Sequence, residues 1–151
     1  MPNQTSQANQ STQTSRTRQT TGTFTFARWD EKPVAGAHGG TRIAHAAVTN
    51  DYTGVIEAAG TSCEYTISYE SETVGFFVGY EFIDGTVDGR KGSFVIEQRG
   101  SFGADGTIEC SFTVLPGSAT GELTGLTGTG SYTARAGQPA TPYSLAHALA
   151  G

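Results

Sequence analysis

Charge is scarce in this sequence: of 151 residues only 15% are Asp, Glu, Lys or Arg, and nine are basic. Nucleic-acid affinity rests on clustered Lys and Arg. A net charge of −5 and a pI near 5.0 set that class of partner aside. Long apolar runs are missing too. No stretch approaches the roughly 18 apolar residues of a membrane span, and the N-terminus lacks the apolar centre of a secretory signal. The expected setting is therefore cytoplasmic, with no membrane partner. There is no Cys-x-x-Cys or His-x-His, and His38, His45 and His147 are scattered over loop, strand and tail. That spacing builds no metal centre, so no metal and no cofactor are expected.

Glycine is what the chain has in quantity, 21 residues of it, with 36% hydrophobic and 10% aromatic content. This supplies a core and many tight turns but argues against long helices, so the expected class is a single all-β domain. The first 21 residues, MPNQTSQANQSTQTSRTRQTT, carry no apolar residue able to anchor a core. Such a segment does not offset its ordering entropy. Residues 1–21 are expected to be a disordered polar tail and residues 22–151 a β-barrel domain. The tail holds Arg16 and Arg18 and no acid, which leaves the domain seven basic against fourteen acidic residues, a net −7.

From Gly22 onward short alternating runs lie between glycine-bearing turns, the period-two mark of strands. Strands are expected near Thr23–Trp29, Arg42–Tyr52, Gly54–Ala58, Ser62–Tyr69, Val74–Ile83, Ser93–Phe102, Thr107–Leu115, Gly128–Thr133 and Tyr143–His147. Asp-Gly steps in Asp88-Gly89-Arg90 and Ala104-Asp105-Gly106 favour the positive φ of tight hairpins. A sequential meander of eight or nine such strands closes on itself to remove exposed edges. The predicted architecture is an antiparallel closed barrel, eight-stranded or nearly so.

Alternation assigns the faces. Cys63, Tyr65, Ile67 and Tyr69 form one inward row, and Ile108, Cys110, Phe112 and Val114 another. Both cysteines thus face the interior with no adjacent base, and they read as inert, reduced core residues. The row Phe94, Ile96 and Gln98 places one amide inside. The run Val74–Ile83 is apolar on both faces, with Phe76, Val78, Tyr80 and Phe82 on one and Phe77, Gly79, Glu81 and Ile83 on the other. Periodicity leaves open which of the two lines the interior.

The segment PGSATGELTGLTGTG, Pro116–Gly130, is too regular for generic turn chemistry. Together with GTFTFARWDEKP at Gly22–Pro33, VTNDYTG at Val48–Gly54, FFVGYEFIDGTVDGRKGSFVIEQRGSF at Phe76–Phe102 and FTVLPGS at Phe112–Ser118, it resembles the bacterial domain-of-unknown-function family 3224. The resemblance runs from about Gly22 to Tyr143. It implies a small antiparallel barrel similar to that of allene oxide cyclase, and it implies no particular chemistry, because fold alone does not determine function. His45, Cys63, Cys110 and the long leader depart from the family pattern and leave room for a specialised pocket. Gly117, Gly121, Gly125, Gly128 and Gly130 have a mechanical reading, sharp turns and close backbone approach at a tight corner. With no Gly-Lys-Ser/Thr ending the segment is not a phosphate loop.

Glu81 is the candidate acid or base, since an apolar strand poises a carboxyl for proton transfer; a structural or outward Glu81 is the plain alternative. His45, which alternates with Ile43 and Ala47, is the second catalytic candidate, and a satisfied structural histidine is its alternative. Trp29, Tyr65, Tyr69, Phe76, Tyr80, Gln98 and Phe112 are the candidate ligand contacts, aromatic walls with hydroxyl and amide groups, weighed against plain core packing. Three functions compete. The leading expectation is a cofactor-independent cyclase or isomerase that folds a small, mostly apolar metabolite in the barrel cavity, in secondary-metabolite biosynthesis. The alternative is a non-catalytic binding protein for a small hydrophobic ligand. A structural protein with a filled interior is the third, and a homo-oligomer is compatible with all of them. An open cavity supports the first two readings, a filled one only the third.

Overall fold

The computed structural model describes residues 17–149. Nine strands run through them: β1 (Arg18–Gly36), β2 (Arg42–Gly54), β3 (Ile56–Glu57), β4 (Ser62–Tyr69), β5 (Gly75–Val87), β6 (Arg90–Phe102), β7 (Ile108–Val114), β8 (Leu126–Ala134) and β9 (Thr141–Leu149). A single 3-10 turn, Gly121–Leu123, precedes β8. Each expected strand is present, the third as the two-residue β3. The expected polar tail lies outside the described residues up to residue 16, but its last four residues, Arg18–Thr21, belong to β1 and pair with β9. Composition misplaces this boundary because ladder hydrogen bonds come from the backbone and are indifferent to side-chain polarity. Thr20 adds a bond from its hydroxyl to the Leu145 carbonyl at 2.7 Å.

The strand order is β3-β5-β4-β2-β1-β9-β8-β7-β6, and β5 also pairs with β6, from Gly75 opposite Phe102 to Val87 opposite Arg90. That last pairing closes eight strands into an antiparallel ring, with β3 attached to β5. Closure removes the long edges that invite association with other chains. The β5–β6 hairpin turns on the expected Asp-Gly step, Asp88 at φ 53° and Gly89 at φ 82°, where both central residues of a tight hairpin need positive φ.

The open face of β5 is settled by burial. Phe77, Glu81 and Ile83 point inward, whereas Phe76, Val78, Tyr80 and Phe82 are 59%, 41%, 52% and 47% exposed on the outside. Large inner-row rings lie over inner-row glycines. A Cβ on Gly130 would stand 2.2 Å from the Phe112 ring, and one on Gly79 would stand 2.0 Å from the Glu64 carbonyl, so these glycines make room for the rings and backbone that cross them.

The interior divides in two. One end is solidly filled by Ile56, Ile83, Phe94, Ile96, Phe112, Val114, Leu123, Leu126 and Leu145. A second cluster, with Ala44, Ala46, Val48, Ile67 and Phe77, lies toward the other end, which is hollow.

Candidate functional site

A cavity of about 680 Å³ occupies the hollow end. Its walls come from inward rows: Phe24, Phe26 and Trp29 of β1, Val48 and Asn50 of β2, Tyr65, Ile67 and Tyr69 of β4, Phe77 of β5, Phe102 of β6, Ile108 of β7 and Tyr132 of β8. Its mouth is formed by three connections at one end of the ring, holding Glu72 and Thr73, Gly103 and Ala104, and Arg135 to Gln138. A β-bulge between Phe26 and Arg28 brings Trp29 back to the inner row, opposite Val48, which is the usual effect of one extra residue on side-chain direction. The walls are mostly aromatic. Trp29 lies 6.0 Å from Tyr65, Tyr65 stands edge-on to Phe77 at 5.1 Å, and Phe24 edge-on to Tyr132 at 4.9 Å. At the rim Tyr69 donates its hydroxyl to Glu31 at 2.5 Å, and the Arg42 guanidinium sits 3.8 Å above its ring.

A polar layer underlies the cavity. Glu81 is fully buried, and both its oxygens are occupied. Oε1 accepts from the Tyr52 hydroxyl at 2.8 Å and Gln98 Nε2 at 2.7 Å, and Oε2 from Asn50 Nδ2 at 2.9 Å and the Thr61 hydroxyl at 2.5 Å. Gln98 Oε1 in turn accepts from the Tyr65 hydroxyl at 3.0 Å, and Thr61 Oγ1 from the Asn50 backbone N–H at 3.1 Å. Four donors match the four lone-pair positions of an ionised carboxylate. Burial, and next the Glu81 charge, push the Tyr52 phenol well above its ordinary range. Burial does the same for Tyr65 and Tyr132.

The structure sorts the sequence candidates into four groups. Trp29, Tyr65 and Tyr69 line the cavity. Glu81 and Gln98 lie in the layer beneath it, screened by Asn50 and Tyr65, and Phe112 belongs to the filled end. His45, Phe76 and Tyr80 are on the outer surface and do not line the cavity, contrary to expectation. His45 is outside because β2 turns its small residues Ala44 and Ala46 inward, beneath rings reaching from elsewhere. Its imidazole lies 2.7 Å from the Glu64 carboxylate, with 43% of the side chain exposed. Phe76 and Tyr80 share the outer row of β5, where the Tyr80 hydroxyl meets Glu97 at 3.3 Å. Sequence reasoning missed Asn50, Phe77 and Tyr132. The signal for Asn50 was its place between Val48 and Tyr52 on one row, and for Tyr132 its period-two spacing after Gly128 and Gly130.

Cys63 and Cys110 are free, buried and on either side of Gln98, each sulfur 3.7 Å from its amide. Burial pushes the Cys110 thiol up to about 11 and Cys63 further still, so neither is a ready nucleophile. Among the described residues no three His, Cys, Asp or Glu side chains converge as a metal site, and no helix is long and apolar enough to cross a membrane.

A ring of eight antiparallel strands, packed at one end and hollow with aromatic walls at the other, defines an all-β protein built around an internal pocket. The family described as "Protein of unknown function (DUF3224)" matches residues 20–147, and the chain belongs to that family. A crystal structure of a protein with unknown function from the same family, from Shewanella oneidensis MR-1, is similar in fold. Its TM-score is 0.70 at 24% identity, over 89% of this chain and 99% of that one. No curated protein matches the chain.

Proposed function

We propose that this protein binds a small, mostly apolar molecule in its cavity, within a ring that we read as a barrel of the allene oxide cyclase kind. The observation that carries this reading is the cavity itself: about 680 Å³ with aromatic and aliphatic walls and few polar groups, within the roughly 300–1,000 Å³ range of small-molecule sites. The polar layer favours binding over proton transfer. Glu81 does not reach the cavity, and its lone pairs are already taken by four donors. One form of the cyclase or isomerase reading keeps a specific support, because the pairs Trp29–Tyr65 and Phe24–Tyr132 form walls that would fold a flexible chain without side-chain chemistry.

Diphenylhexatriene, a hydrocarbon that fluoresces in apolar surroundings, tests the reading. Saturable one-to-one binding with Kd on the order of micromolar is expected. Ala134→Trp, which puts a ring into the cavity wall, should abolish it. Diphenylhexatriene that never saturates, or that binds Ala134→Trp as well as the native protein, would overturn it. An apolar metabolite incubated with the protein and recovered unchanged supports binding, whereas an isomer of equal mass and different retention supports templated cyclisation.

A further inference from the structure

Resting on the binding reading, we propose that the cavity selects apolar ligands carrying a hydrogen-bond donor, a hydroxyl or N–H, at their buried end, because Glu81 fixes the direction of the hydrogen bonds in the cavity floor. An ionised carboxylate only accepts, so each partner must turn a hydrogen toward it. Gln98 therefore gives Glu81 its Nε2 and leaves Oε1 for Tyr65, whose single hydroxyl hydrogen goes to it. The Tyr65 oxygen is left with lone pairs to offer the cavity that it lines. Asn50 likewise turns Nδ2 to Glu81, and Oδ1 is the amide atom left for the cavity. Tyr132, the other phenol lining the cavity, neighbours Tyr65 and Cys110, and its hydroxyl is free to turn either way. The two lining groups that Glu81 fixes, Tyr65 and Asn50, thus turn acceptors to the cavity. A ligand hydroxyl or N–H finds partners there, while an ether or carbonyl oxygen meets lone pairs with its own and loses its water in the process.

The same geometry dictates what happens when the charge is replaced by an amide. In Glu81→Gln the new NH₂ faces either Gln98 Nε2 or Asn50 Nδ2, and that neighbour must flip to accept it. A flipped Asn50 turns its own NH₂ toward the cavity. A flipped Gln98 donates to Tyr65, whose hydrogen is then free to turn into the cavity. Either way the floor gains a donor.

The experiment is displacement of bound diphenylhexatriene by 2-naphthol and by 2-methoxynaphthalene. The two share one ring system, and the ether is the more apolar, so unselective greasy binding favours it. The native protein is expected to bind 2-naphthol at least about fivefold more tightly. A smaller ratio, with diphenylhexatriene still bound, overturns the proposal; failure of diphenylhexatriene itself overturns the binding reading instead. The ratio should drop below about fivefold in Glu81→Gln, and in Tyr65→Phe, which removes one floor acceptor and keeps the ring. An unchanged ratio in a folded Glu81→Gln or Tyr65→Phe protein also overturns it.

Discussion

Replacing Glu81 with leucine removes the acceptor on which four buried donors converge. Asn50 Nδ2, the Tyr52 and Thr61 hydroxyls and Gln98 Nε2 all lose a partner at 2.5–2.9 Å. An unsatisfied buried donor costs about 1–3 kcal/mol. Part of this is offset, because leucine also relieves the desolvation of a buried charge, and breaking such a charged contact from one side nets about 3–5 kcal/mol. Glu81→Gln is milder. Its oxygen still accepts twice, one hydroxyl can reverse toward its NH₂, and a single conflict with Asn50 or Gln98 is left, costing about 1–3 kcal/mol. A domain of this size has a total stability of about 5–15 kcal/mol, so the leucine variant should lose a large share of its stability and the glutamine variant a smaller one. Urea denaturation followed by far-ultraviolet circular dichroism measures both. A leucine variant within about 1 kcal/mol of the native protein would refute the claim that Glu81 organises the layer.

Three further outcomes follow from the same structure. Neither Cys63 nor Cys110 should react with dithionitrobenzoate in the folded protein, and both should react in guanidinium, since both are buried and burial raises their thiols; rapid native labelling would contradict this. Burial lowers His147 from its ordinary value of 6.5, so the unfolded chain binds the extra proton first. Stability should be fully present above pH 6.5 and decline as the pH falls below it. His147→Asn should flatten that decline in pH-dependent urea midpoints, and an unaltered slope would assign it elsewhere. Deleting residues 1–21 should lower the melting temperature more than deleting residues 1–16, because only the longer cut removes the Arg18–Thr21 pairs with β9 and the Thr20–Leu145 bond; equal melting temperatures would count against those contacts.

Much of the fold could be read before the structure, and the reasons are local. β4 and β7 are half-buried strands with clean alternation, so the inward rows through Tyr65 and Phe112 were legible from period two alone. Asp88-Gly89 announced its hairpin by the one conformation that Asp-Gly tolerates well. β5 resisted because its outer row, Phe76 to Phe82, is apolar yet exposed, and no periodicity separates two apolar faces. The cavity resisted for a different reason. Its inner rows mix very small and very large residues, Ala44 and Ala46 against Tyr65 and Phe77, and which of them leaves a void depends on rings reaching across the ring of strands. Glu81 was legible only as a candidate for burial on one of two open faces, and not as occupied, since its partners Asn50, Thr61 and Gln98 come from three separate segments.

The most direct test of a ligand in this cavity uses Trp29, the sole tryptophan of the chain, whose indole lines the cavity 6.0 Å from Tyr65. Diphenylhexatriene absorbs where tryptophan emits, and a molecule seated in the cavity lies against the indole. Titration should quench Trp29 emission almost completely, in step with the rise of diphenylhexatriene fluorescence and with the same one-to-one saturation. Diphenylhexatriene fluorescence that rises while Trp29 emission holds steady would put the hydrocarbon beyond energy-transfer range of the indole and would contradict the cavity as the binding site.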